Sequence, residues 1–184
     1  MHQFIARIFR SDKPQPEPPI EDAIDLPAAM LQRIHEQGLL LAYASETGFI
    51  DEVADMTQHD LESLGIVVRP VELDEVDSEL LQRETPVLFM TSTTGSGDAP
   101  FAADRFWTEV MAEPADLAHL HFGLLCAGDT DYDNFCGFGR ELRDWLLASG
   151  AEPLFAPIEV DCEEEETIER WRRQVKQLFA TVTA

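Results

Sequence analysis

The chain has 184 residues, 45% hydrophobic and 27% charged, enough for one domain with a sizeable core. Thirteen Lys and Arg stand against 36 Asp and Glu, a formal net charge of −23, which repels phosphate backbones and excludes a nucleic-acid binder. No apolar run reaches the roughly 18 residues of a membrane span, and three cysteines without a CxxC pair suit a reducing cytoplasm rather than a disulfide framework or a zinc site.

The start, MHQFIARIFR, lacks the apolar core and small-residue cleavage site of a signal peptide. Phe4, Ile5, Ile8 and Phe9 share one face of a short helix there, with Arg7 and Arg10 beside them. So short an amphipath binds lipid weakly, and membrane contact is not expected. The proline- and charge-rich SDKPQPEPPIED reads as an extended linker, and LPAAMLQRIHEQ as a helix leading into the first strand. Residues 1–37 are therefore read as an N-terminal extension, linker and lead-in helix, and residues 38–184 as the domain proper.

From Gly38 onward the pattern alternates. GLLLAYA is a strand, residues 49–64 a helix, IVVRPVEL a second strand and TPVLFMTS a third. FAADRFWTEVMA is a helix and LAHLHFGLLCA a long fourth strand. FCGFGRELRDWLLASG is a helix stopped by Gly150, EPLFAPIEV the fifth strand, and residues 163–182 the last helix, with acids in its first turn and basic residues later. Alternating strands and helices mean βαβ units and a parallel sheet covered on both faces. Five such strands fit an α/β, flavodoxin-like three-layer sandwich of order 2-1-3-4-5. Its ligands bind beyond the carboxyl ends of the strands, where the order reverses between strands one and three.

Three loops reach that position. SETG, after strand one, offers the hydroxyls of Ser45 and Thr47, a glycine and a helix N-terminus, a phosphate cradle of neutral donors. Taken alone, such a turn is more often just a helix cap. TSTTGSGDAP, after strand three, combines two glycines with small hydroxyl residues and matches neither a Walker loop nor a dinucleotide fingerprint. GDTDYDNFCGFG, after strand four, sets Tyr132 among polar residues, exposed unless it folds onto its loop or something flat covers it. Together the loops describe a site for a flat, singly phosphorylated cofactor.

YASETG, STTGSGDAP and GDTDYDNFCGFGRELRDWLLASGA resemble the three FMN-binding loops of the flavodoxin domain in NADPH-dependent diflavin reductases, most of all the sulfite reductase flavoprotein subunit, over residues 38 to 180. The resemblance implies that Ser45, Glu46, Thr47, Gly48, Phe49 and Ile50 bind the FMN phosphate. It implies that Ser92, Thr93, Thr94, Gly95 and Gly97 flank one flavin face. It implies that Gly128, Asp129, Tyr132, Asn134, Phe135 and Cys136 supply the stacking ring and contacts at the flavin edge, with Asp161 nearby. The chain departs from the family at Glu46, commonly a glutamine, at Phe49, commonly a hydroxyl residue, and at Thr94, often a large or aromatic group. A carboxylate at position 46 adds like charge beside a phosphate, so Glu46→Gln is expected to tighten FMN.

The implied function is electron relay between a separate FAD/NAD(P)H reductase and a redox acceptor protein. The chain leaves no room for FAD- and NADPH-binding domains, so it reads as a carrier or one part of an oxidoreductase system. The alternatives are a flavodoxin-fold interaction module that has lost FMN, and a flavin-dependent quinone or nitro reductase. His119 and His121, two apart on strand four, share a face but lack a third ligand at useful spacing and read as packed residues. Cys126 reads as a core residue. Cys136, near a helix N-terminus, is expected to have a lowered thiol pKa. Trp107, Trp145 and Trp171 read as core.

Overall fold

The computed structural model describes residues 26–180. The amphipathic start with Phe4, Ile5, Ile8 and Phe9 and the proline-rich stretch lie outside them. Strand β1 (Leu39–Ala44) is apolar along nearly its whole length, and its pleat sends alternate residues to two different cores. Leu39 and Leu41 join one cluster, and Leu40, Ala42 and Ala44 the other. The same division runs through β3 (Val87–Ser92) and β4 (His121–Gly128), where Leu88, Met90 and Leu125 face one way and Phe89, Phe122 and Leu124 the other. This is the signature of a sheet covered on both faces.

The first face is covered by α1 (Ala28–Gln37), α2 (Phe49–Ser63) and α5 (Glu165–Phe179), through residues such as Ile34, Val53, Trp171 and Val175. Met30 and Ile34 of α1 are buried in this core. Inside it, Trp171 Nε1 donates to Thr57 Oγ1, and at its edge Arg172 grips the Asp60 carboxylate at 2.7 Å. Burial alone pushes the Asp60 carboxyl upward, but the Arg172 hydrogen bond and charge, with Lys176, bring it below its ordinary value. The other face is covered by α4 (Gly137–Ala148) and the segment 101–110, through Phe106, Phe138, Leu142 and Trp145.

All strands run parallel, in the order β2-β1-β3-β4-β5, where β2 is Val68–Glu72 and β5 Glu152–Pro153. A further strand, β6 (Ile158–Asp161), also pairs with β4. The expected fifth strand is thus two strands in one lane. Phe155 turns inward between them to meet Trp171 edge-on at 5.7 Å, and Pro157 brings no N–H to the ladder.

Two further expectations change in detail, and one short helix is new. The helix expected over 101–112 becomes a 3₁₀ turn at Phe101–Ala103 and a wide π turn at Phe106–Val110. The Asp74 carboxylate takes the Phe106 N–H, and Arg105 donates to the carbonyls of Asp74 and Val76, so this segment answers to residues some thirty positions earlier. The fourth strand begins at His121 rather than Leu117. His119 therefore lies outside it, with Nε2 3.2 Å from the Leu81 carbonyl, while His121 Nε2 is 3.5 Å from Glu152. The short α3 (Ser78–Leu81), capped by Asp77, was not foreseen. No helix among the described residues is long and apolar enough to cross a membrane.

Candidate functional site

The carboxyl ends of β1, β3, β4 and β6 open on one cleft of about 510 Å³. It lies where the strand order reverses, the expected ligand position in a sheet of this kind.

The first loop folds around one oxygen. Ser45 Oγ accepts the N–H of Gly48 at 3.0 Å and of Ile50 at 3.2 Å, which leaves its own proton free to donate. Gly48, at φ +93°, takes a left-handed conformation that opens α2 without a side-chain cap. Among the described residues, the amides of Thr47 and Phe49 have no hydrogen-bond acceptor. Thr47 and Phe49 line the cleft, whereas Ile50 is fully buried in the core and enters the loop only through its backbone. Glu46 lines the cleft but is engaged elsewhere: its N–H donates to Ser92 Oγ and its carboxylate accepts the Phe101 N–H, each at 3.0 Å.

The second loop closes on itself as a tight turn, with Thr94 and Asp98 exchanging both backbone hydrogen bonds. Ser92, Thr93, Thr94 and Gly95 line the cleft. Among the described residues Thr93 Oγ1 is buried without a partner, the kind of orphan that a ligand satisfies. Gly97, at φ +112°, is buried beneath Asn134. A side chain there would come within 1.9 Å of Asn134 Nδ2, so the second and third loops interlock at this point.

The third loop is pinned at its base. Asp161 accepts the Thr130 N–H at 3.0 Å and hydroxyl at 2.6 Å, and these bonds hold its carboxyl below the ordinary value. Asp129 Oδ1 accepts the Asp131 N–H. Phe135 is supported by the Arg140 guanidinium 5.6 Å from its ring, and Arg140 in turn forms a bidentate pair with Glu159 at 2.7 Å. Tyr132 stands 59% exposed at the cleft. The thiol of Cys136 departs from expectation. It is fully buried, donates to the Cys126 carbonyl, and burial pushes its pKa up to about 12, with the Glu159 charge adding to the effect. Desolvation here outweighs the neighbouring helix terminus.

The structure thus brings Glu46, Thr47, Phe49, Ser92, Thr93, Thr94, Gly95, Gly128, Asp129, Tyr132, Asn134, Phe135 and Cys136 around one cleft. Ser45, Gly48, Ile50, Gly97 and Asp161 do not line it and instead shape the loops that do. Sequence reasoning missed Ala127, Cys162 and Glu163 as lining residues. Their signal was position: each adjoins the carboxyl end of β4 or β6. Cys126 is buried, as are Trp145 and Trp171, and Trp107 packs against the second core.

A doubly wound parallel sheet with a cleft of this make-up at its switch point is the architecture of a mononucleotide-binding α/β protein. Residues 41–172 match the family described as Flavodoxin, and the chain belongs to that family. It is 30% identical over 148 residues to the sulfite reductase (NADPH) flavoprotein alpha-component of Aliivibrio fischeri, covering 78% of this chain and 24% of that one. It is 30% identical over 146 residues to NADPH oxidoreductase A of Dictyostelium discoideum, covering 78% and 23%. The chain spans about a quarter of the length of these curated relatives. Among solved structures, the Streptococcus pneumonia TIGR4 flavodoxin superimposes with a TM-score of 0.66 at 28% identity, over 78% of this chain and 98% of that one. FMN is the cofactor of this family. The residues present fit it: the cleft offers the unpaired amides of Thr47 and Phe49, the orphaned Thr93 hydroxyl, and aromatic and small side chains along its lining.

Proposed function

We propose that the chain is an FMN-binding electron-transfer protein of the cytoplasm, relaying electrons from a separate FAD/NAD(P)H reductase to a redox acceptor protein. The observation that carries this reading is the convergence of the three loops on one cleft at the strand reversal. When bound, FMN supplies the chemistry, exchanging electrons singly or in pairs. The chain's own residues bind and orient it. Thr47 and the free amides of the first loop, which Ser45 holds in shape, would bind the phosphate. Thr93, Thr94 and Gly95 would flank one face of the ring, and Tyr132 the other. Asp98, Asp131 and Asp133 are exposed on the loops beside it, an acidic rim suited to a basic patch on either partner.

The first test is an absorbance spectrum of the purified protein, before and after addition of FMN. A flavin spectrum with quenched FMN fluorescence is expected. A colourless protein that leaves FMN fluorescence unchanged overturns the proposal in favour of an interaction module. Stopped-flow reduction by a flavoprotein reductase then tests the relay, whose second-order rate constant should fall as ionic strength rises, because salt screens the rim. Rapid steady-state turnover with NADPH alone points instead to a quinone or nitro reductase.

A further inference from the structure

Glu46 occupies the loop after β1, yet both of its directional bonds lead to the loop after β3. Its N–H donates to the oxygen of Ser92, where that loop begins, and its carboxylate accepts the N–H of Phe101, where it ends. Between these two anchors the chain is closed by the Thr94–Asp98 turn, and it carries Thr93, Thr94 and Gly95 into the cleft. Pro100, immediately before Phe101, has no N–H, so the Phe101 amide is the first donor available after Ala99. A carboxylate accepting an amide N–H makes a charge-assisted bond, stronger than its neutral counterpart. Phe101 itself is 85% exposed, so its own ring does not fix the direction of its amide, while Pro100 and Ala99 before it pack inward and leave that amide to the Glu46 carboxylate.

We propose that Glu46 is a positioning residue for the isoalloxazine ring rather than a phosphate ligand: a latch that sets the ring-flanking loop at a fixed distance from the phosphate cradle. The inference rests on the FMN reading and deepens it. It assigns the residue's effect to the ring end of the ligand, although its own loop belongs to the phosphate end. Riboflavin, which has the ring and lacks the phosphate, separates the two roles.

The experiment compares Glu46→Ala and Glu46→Gln with the unsubstituted protein in titrations with FMN and with riboflavin. Amide hydrogen exchange at Phe101 is followed in the flavin-free protein. The latch predicts that Glu46→Ala weakens both flavins by the same factor, roughly three- to tenfold for one lost hydrogen bond. It also predicts faster exchange at Phe101 and an altered visible circular dichroism of the bound flavin. Glu46→Gln keeps a carbonyl acceptor, so it should restore Phe101 protection and most of the affinity. The opposite pattern overturns the proposal: both variants tightening FMN, riboflavin unaffected, and the gain fading as salt rises. That would make the carboxylate a charge beside the phosphate. Unchanged exchange at Phe101 in Glu46→Ala overturns it as well. Should the unsubstituted protein bind no flavin, the electron-transfer reading falls, while exchange at Phe101 still decides whether the latch exists.

Discussion

The loops after β1 and β4 flank the same cleft and are held in opposite ways. The first is ordered along its whole length, two of its amides converging on its own Ser45 Oγ and a third reaching Ser92 at the end of β3. The loop after β4 is fastened at its base, by Thr130 on Asp161 and by Asn134 against Gly97, and its middle leaves Tyr132 largely exposed. The difference follows from what each end would hold. A phosphate needs several donors at fixed distances, and donors that are already oriented do not have to be ordered when it binds. A flat ring asks for apolar area, which one aromatic side chain can supply after moving into place.

The sharpest way to break this contrast is at Ser45. Removing its hydroxyl leaves the Gly48 and Ile50 amides without an acceptor and loosens the loop that presents the Thr47 and Phe49 amides to the phosphate. At about 1–3 kcal/mol for stranding such groups, Ser45→Ala should raise the FMN dissociation constant roughly ten- to hundredfold. Riboflavin should be affected much less. Fluorescence titration of both flavins checks this, and equal losses for the two would show that the loop does not act on the phosphate.

At the other end the effect should be smaller. Stacking beyond buried area is worth roughly 0.5–1.5 kcal/mol, so Tyr132→Ala should weaken FMN by up to about tenfold, and riboflavin equally. A variant with the dissociation constant and flavin spectrum of the parent would remove Tyr132 from the site.

The smallest effect concerns the base of the third loop. The Asp161 carboxyl lies below its ordinary value because Thr130 donates to it twice. A depressed carboxyl contributes stability above its unfolded pKa, about 3.9, and loses that contribution as pH falls through its lower folded value. Urea midpoints measured from neutral pH downward should therefore drop further for the parent than for Asp161→Asn. Acid limbs of identical depth in the two proteins would show that the Thr130 bonds contribute nothing to stability.

Much of the molecule was legible because its signals are local. Runs such as LLLAYA and VLFMTS are too apolar for any but buried strands, and the helices between them dictate parallel pairing. The cleft's place follows from that order, and so do the three loops that reach it. The features that escaped all depend on a distant partner. Glu46 and Phe101 are 55 residues apart, and nothing in SETG announces that its acid would turn toward another loop. The helix expected over 101–112 has ordinary helical residues, and only the carboxylate of Asp74, 32 positions before Phe106, diverts its amide.

The layered architecture and the chemistry available at the cleft can be read from the residue order, because hydrophobic periodicity and short loops act between near neighbours. Tertiary structure alone decided which polar groups remain free for a ligand. A hydroxyl, amide or carboxylate is committed by whichever partner the fold brings within hydrogen-bonding reach. Thus Ser45 serves its own loop, the Thr93 hydroxyl is left without a partner among the described residues, and the Cys136 thiol, which its place before a helix would have acidified, is raised by burial instead.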